Sequence, residues 1–322
     1  MEYRAIGQRQ ISALTLGGAG IAGSWGERSE AEAEQTVRMA FDAGITAYDV
    51  APMYSRRAAE RIMGRVFSAQ EKSGLFVSSK CGLGDIEGSQ VYDQLRASLL
   101  KSLDLMGIDR LNLFIYHSNL RLDTTHSAFR RQELMARFVT PLSTYFDFIV
   151  PAFERLQKEG LIEHWGITGS GEQQALIQAI EHTTKPHAVQ AVINAMHSPG
   201  GLNNVRPEFD PVAIYNACLD QEVAVLGIRA VQAGALTASM DRNLPEDDPD
   251  LADFRRAAPF RDLAAEWGMT PSALAYQYAL SVPDVSSVVL GVKNPAELQE
   301  SLDAEQAKRL SAEQMQQIEA CF

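Results

Sequence analysis

The chain has 322 residues, 46% of them apolar, enough for one large α/β barrel or two ordinary domains. Its formal charge of −12 argues against nucleic-acid or anionic-membrane partners. No apolar run approaches the ~18 residues of a membrane span, and three well-separated cysteines without metal-ligand spacing fit a reduced, cytoplasmic protein with no metal.

The first residues carry no basic-then-apolar leader pattern. Tyr3-Arg4-Ala5-Ile6, a Gly7-Gln8 turn and Ile11 suit a small hairpin. Leu14-Thr15-Leu16 reads as a buried strand running into a glycine-rich loop, Gly17 to Gly23. That loop contains Gly18-x-Gly20-x-x-Gly23, the spacing of a dinucleotide-binding fingerprint. A true fingerprint opens its helix within the motif. Here Ser24 to Arg28 intervene, and Ser29 with Glu32 three residues on forms the capping-box signal for a helix over Glu30 to Ala43. The glycine run is therefore expected as a flexible loop. It would carry Trp25 either over a substrate or packed against the rim.

Gly44-Ile45-Thr46-Ala47-Tyr48 is the second strand, and it ends in a carboxylate, Asp49. Pro52 keeps the next residues extended, so Tyr54 lies on a loop beyond the strand end. After a helix from Ala58 to Phe67, the third strand, Leu75 to Ser79, ends at Lys80. A long amphipathic helix, Val91 to Met106, leads to the fourth strand, Leu111 to Tyr116, which ends at His117. Residues 119–149 are long for a connection, and a specificity insertion that brings Tyr145 to the substrate is expected there, with a solvated excursion or a subunit contact as the alternatives. Further strands follow at 163–168, 188–192, 223–228 and 286–291, with helices between them and a Pro- and Asp-rich loop at 243–250. Thr270-Pro271 and Asn294-Pro295 start two helices, and Ser311 opens the last.

Strands alternating with helices imply a parallel sheet, and eight such units favour a closed (β/α)8 TIM barrel; an open doubly wound sheet is the alternative. One domain spanning 1–322 is expected, with the N-terminal β-hairpin as a cap. In such a barrel, residues at the C-terminal strand ends form the active site. Each candidate has an ordinary explanation alone: Asp49 as a turn cap, Tyr54 as a rim aromatic, Lys80 at the surface, His117 as a structural histidine.

Taken together, an Asp and a Tyr five residues apart, then a Lys and a His closing successive strands, resemble the aldo-keto reductases. The resemblance runs the length of the chain. It implies a barrel that moves hydride between NAD(P)H and a carbonyl, with Asp49, Tyr54, Lys80 and His117 as the catalytic set. Tyr54 would be the general acid, its pKa lowered by Lys80, which Asp49 holds. His117 would orient the substrate carbonyl. On this reading Lys80→Met abolishes most activity and leaves the fold intact.

The cofactor motifs match less closely. The family's Gly-Val-Ser-Asn run corresponds to Gly166-Ile167-Thr168-Gly169, so Thr168 replaces the hydroxyl, with Ser170 as partial compensation for the amide. Gln190 matches the glutamine that holds the nicotinamide carboxamide. Ile228 stands near the family's stacking tyrosine, and Arg229 follows within reach of a pyrophosphate. Gly234 and Leu236 lie in a run resembling the one over the pyrophosphate. Gly291, Lys293, Glu297 and Ser301 fall in the adenosine-phosphate motif. Lys293 argues for NADP(H); Glu297, a carboxylate, leaves NAD(H) open. The resemblance implies a small-molecule carbonyl or alcohol substrate and a monomer or small homo-oligomer. Two other readings stand beside the enzyme: a cofactor-binding regulatory or interaction protein on the same barrel, and an isomerase or aldolase using Lys80 as a Schiff base.

Overall fold

The structure, a computed structural model, describes residues 1–23, 29–123, 135–202 and 209–322. β1 (Tyr3–Ile6) and β2 (Arg9–Ser12) form an antiparallel hairpin, with Gly7 taking a positive φ of 57° in the turn. Arg4 donates to the carbonyls of Leu280 and Val285, which fastens the hairpin to the barrel floor.

Eight strands then close into a parallel barrel. They are β3 (Leu14–Gly17), β4 (Ala47–Asp49), β5 (Phe76–Cys81), β6 (Leu111–Tyr116), β9 (Ile162–Thr168), β10 (Ala188–Val192), β11 (Ala224–Ile228) and β12 (Val285–Leu290). The ring closes where Val288 pairs with Leu14, which rules out the open doubly wound sheet. Two short strands, β7 (Asn119–Arg121) and β8 (Val139–Pro141), pair outside the barrel within the 119–149 insertion.

Side chains alternate along a strand, so each barrel strand shows every second residue to the interior. At the floor these inner positions are apolar: Ala47, Phe76, Leu113, Ile115, Ala188 and Leu226 form one cluster with Ile6 and Ile11 of the hairpin. Two residues further along, the same faces carry Asp49, Ser78, His117, Gln190 and Ile228, with Lys80 one step beyond Ser78. The apolar plug thus excludes water beneath a polar upper layer. The opposite strand faces pack on the helices in the main core, which includes Leu14, Tyr48, Val77, Phe114, Trp165 and Val225.

The helices start at the expected caps. Ser29 accepts from the Glu32 amide, Thr270 from Ala273 and Asn294 from Glu297. The glycine run departs from expectation, since Gly18–Ile21 is a short helix. A Cβ on Gly20 would sit 2.1 Å from the Val292 oxygen, and one on Gly18 2.9 Å from the Ala59 Cβ, so these glycines permit close packing. The expected loop at 243–250 runs into two helices, Pro249–Arg256 and Ala258–Glu266, the first capped by Asp248 with proline at its start.

Candidate active site

The upper layer opens into a cavity of about 690 Å³. Its wall includes Asp49, Tyr54, His117, Thr168, Gln190 and Ile228 at one end and Gly291, Lys293 and Glu297 at the other. The Lys80 Nζ is fully buried beneath it, 2.5 Å from Asp49 Oδ2 and 3.1 Å from the Val50 carbonyl. Ser78 donates to the other Asp49 oxygen at 2.6 Å, which fixes the carboxylate. The Lys80 ammonium lies 4.9 Å from the centroid of the Tyr54 ring. The His117 ring stands edge-on to Tyr54, with centroids 6.2 Å apart.

The electrostatics sort these groups. Burial pushes the Tyr54 phenol up, with Lys80 pulling against it. Lys80 thus acts on the phenol in the expected direction, lowering its pKa, while burial of the ring sets the net rise. Burial is the largest influence on Lys80 and opposes its charge, but the attractions of Asp49 and the Tyr54 oxygen together outweigh it and the pKa rises. Burial, reinforced by the Lys80 charge, takes His117 down to about 3. At neutral pH the centre therefore holds a protonated phenol, an ammonium and a neutral imidazole.

The remaining expected residues divide. Thr168 lines the cavity, its hydroxyl donating to the Tyr116 carbonyl at 3.2 Å. Ser170 is not among the cavity-lining residues; it donates to Asn119 at 2.6 Å. Gly234 lines the cavity, whereas Leu236 is buried in a separate apolar cluster. Ser301 is buried and donates to the Glu297 carbonyl within its own helix. Arg229 lines the wall, but Asp250 holds its guanidinium at 2.5 Å and Gln232 accepts from its Nε at 2.9 Å, so it is not a free pyrophosphate ligand. Tyr145 is fully buried in the main core beside Tyr116 and Phe146, away from the cavity. The apolar residues around it signal a core position, and the length of the insertion masked that signal. Trp25 lies outside the described residues.

One partner was not foreseen. Asp241, on the segment after β11, pairs with the Lys293 ammonium, and Glu297 Oε1 takes the same group at 3.2 Å. Glu297 Oε2 also accepts from the Lys293 amide at 3.0 Å. The expected phosphate-binding helix start therefore already holds a carboxylate. No local motif marks Asp241, because its partner is 52 residues away.

A nicotinamide cofactor fits this wall on one observation in particular. The Gln190 Nε2 is buried without a hydrogen-bond partner among the described residues, although Gln190 lines the cavity. An orphaned amide donor at the floor of a cleft suits a carboxamide oxygen, since such groups are rarely left unpaired. Thr168 stands on the neighbouring strand, in register with it.

Comparison with known proteins agrees with this geometry. The model of the aldo/keto reductase family matches residues 13–322. An L-galactose dehydrogenase from Arabidopsis thaliana is 23% identical over 94% of this chain and 88% of its own length. A D-threo-aldose 1-dehydrogenase from a Pseudomonas species is 24% identical over 91% and 89%. Among solved structures, an aldo-keto reductase from Bacillus halodurans superposes with a TM-score of 0.74 at 18% identity, covering 100% of this chain and 96% of that one, a likeness of fold. The chain belongs to the aldo/keto reductase family and is a nicotinamide-dependent oxidoreductase that interconverts carbonyl compounds and alcohols.

Proposed function

We propose that Tyr54 is the proton donor and acceptor of this reaction, that Lys80 and Asp49 set its ionisation, and that His117 orients the substrate oxygen. The bound nicotinamide would supply or accept the hydride. In reduction the Tyr54 hydroxyl protonates the oxygen as negative charge develops there, and in oxidation the phenolate removes the same proton. Neutral His117 donates a hydrogen bond to that oxygen rather than a proton, since its pKa near 3 keeps it uncharged. Lys80 stabilises the phenolate through space, and Asp49 keeps the ammonium in place. The observation carrying this reading is the buried Lys80–Asp49 pair set directly under the Tyr54 ring. The same pair disfavours the Schiff-base reading: a buried ammonium with a raised pKa is a poor nucleophile.

Gln190 and Thr168 would hold the carboxamide of the nicotinamide, and Ile228 would give its ring an apolar contact. For the adenosine end we infer a preference for NAD(H), which revises the sequence expectation of NADP(H). Lys293 is shared by two carboxylates, so a 2′-phosphate would meet Asp241 and Glu297 along with the ammonium. A ribose hydroxyl would find acceptors there. The sugar dehydrogenases among the relatives support a small polyhydroxylated substrate class.

Two measurements test this. Incubation with C4-deuterated NADH and an aldehyde panel should place deuterium on the product carbinol carbon; its absence across sugars and simple aldehydes would remove the proposal. Calorimetric titration should give tighter binding of NADH than NADPH, with Asp241→Asn and Glu297→Gln together narrowing or reversing the difference. Tighter NADPH binding by the unaltered protein would contradict the assignment.

A further inference from the structure

Directly after Tyr54, Ser55, Arg56 and Arg57 adopt φ of 44°, 53° and 69°. Three successive residues with side chains in the left-handed region oppose local preference, and no glycine relieves them. The turn is closed on the backbone by the Arg57 amide donating to Pro52 and the Ala58 amide donating to Tyr54. Neither bond explains why the left-handed form persists.

The side chain of Arg57 offers a reason. Its guanidinium donates to Glu60 at 2.8 Å, to Ser102 at 2.9 Å and to Ser98 at 3.1 Å, the two serines lying on the helix Gly88–Met106. Glu60 is fully buried, and its second oxygen accepts from Ser79 at 2.9 Å. Ser79 faces outward from β5 and precedes Lys80, which faces inward. One network therefore grips both the loop carrying Tyr54 and the strand carrying Lys80. A buried carboxylate that has lost its water is held by its partners and resists their displacement.

We propose that Arg57 and Glu60 are positioning residues for proton transfer: their buried ion pair holds the strained turn so that the Tyr54 hydroxyl is fixed relative to Lys80 and His117. This rests on Tyr54 being the proton donor. Neither residue lines the cavity, so both act through Tyr54. Loosening them should affect the chemical step and leave cofactor binding intact, because the cofactor wall around Gly234 and Lys293 lies on other elements.

Arg57→Gly tests this without adding strain, since glycine accepts the left-handed backbone while the guanidinium is lost. With Glu60→Gln beside it, kcat should fall by about 10- to 100-fold, the scale set by small misplacements of a reacting group. NADH affinity should stay within about twofold of the unaltered protein. The alkaline limb of the reduction profile should also shift, as the Tyr54–Lys80 spacing changes. Arg57→Lys, which keeps charge without the fork, should recover only part of the loss. Unchanged kcat in both Arg57→Gly and Glu60→Gln would overturn the proposal, as would a loss of NADH binding in step with kcat. If Glu60→Gln does not fold, Arg57→Gly decides alone. Tyr54→Phe in the unaltered background separates the two claims. An inactive Tyr54→Phe with fully active Arg57→Gly and Glu60→Gln rejects only the positioning role. An active Tyr54→Phe rejects the proton-donor reading beneath it.

Discussion

Lys80 illustrates how burial changes a prediction made from spacing. Its side chain is 0% exposed and that of Asp49 3%. Removing one member of such a pair leaves the other charge buried and typically costs about 3–5 kcal/mol. Lys80→Met should therefore lose both turnover and stability, not turnover alone as the sequence suggests. Adding Asp49→Asn should restore much of the melting temperature without restoring activity; recovery of neither would show that the pair is not the source of the instability. The phenol gives a second prediction at this scale. Reduction needs Tyr54 protonated and oxidation needs it ionised. Because its folded pKa lies above the ordinary value, reduction should hold level through neutral pH and fall only in the alkaline range, while oxidation climbs with pH. Matched profiles in both directions check this, and an oxidation rate peaking near neutrality would contradict it. The strand-end positions of Asp49, Lys80 and His117 and the loop position of Tyr54 were legible from strand patterning and Pro52, whereas their grouping as one set came from the family resemblance. The Glu60–Ser79 contact was not legible, because it joins residues on separate elements.

The glycine helix Gly18–Ile21 shows what an element contributes to the site. It leans on the segment Gly291–Val292, which continues into the cavity wall at Lys293. Gly20→Ala would drive a methyl group into the Val292 carbonyl, with no flexible side chain to yield. The expected outcome is a loss of about 1–3 kcal/mol, the usual range for overpacking, together with weaker cofactor binding. A denaturation curve and a cofactor titration on the same sample check both, and an unchanged pair would show the contact to be slack. The eight strands could be read from the sequence because each is a short apolar run bounded by turn residues. The helices Pro249–Arg256 and Ala258–Glu266 were missed although Asp248-Pro249 is a cap signal. The polar composition of the first resembles a loop, and it is held by contacts such as Arg229–Asp250 that sequence does not reveal.

In the whole molecule, hydrogen bonding around the closed barrel and the hairpin fastened beneath it leave no obvious division. We propose that residues 1–322 unfold as one cooperative unit, seen as a single calorimetric transition that saturating cofactor moves upward. Acid should weaken this unit through the barrel floor. His164 and His187 pack with ring centroids 4.7 Å apart and planes tilted by 40°, and burial lowers the pKa of both. The folded state thus favours neutral rings, while the unfolded chain takes up protons near pH 6.5. Their contribution is complete above about pH 6.5 and declines as pH falls through the lowered values. The urea midpoint should drop across that window, and His164→Asn with His187→Asn should flatten the drop. Among the described residues, no helix is long and apolar enough to cross a membrane.

The most direct test of the account is a single-turnover comparison of the unaltered enzyme with Tyr54→Phe, following NADH oxidation in the presence of an accepted aldehyde. Loss of the phenolic proton should slow hydride transfer by about 10²–10⁴-fold, the range for a positioned general acid, with cofactor affinity kept. A Tyr54→Phe enzyme that turns over within a few-fold of the original would contradict the assignment of proton transfer to this residue.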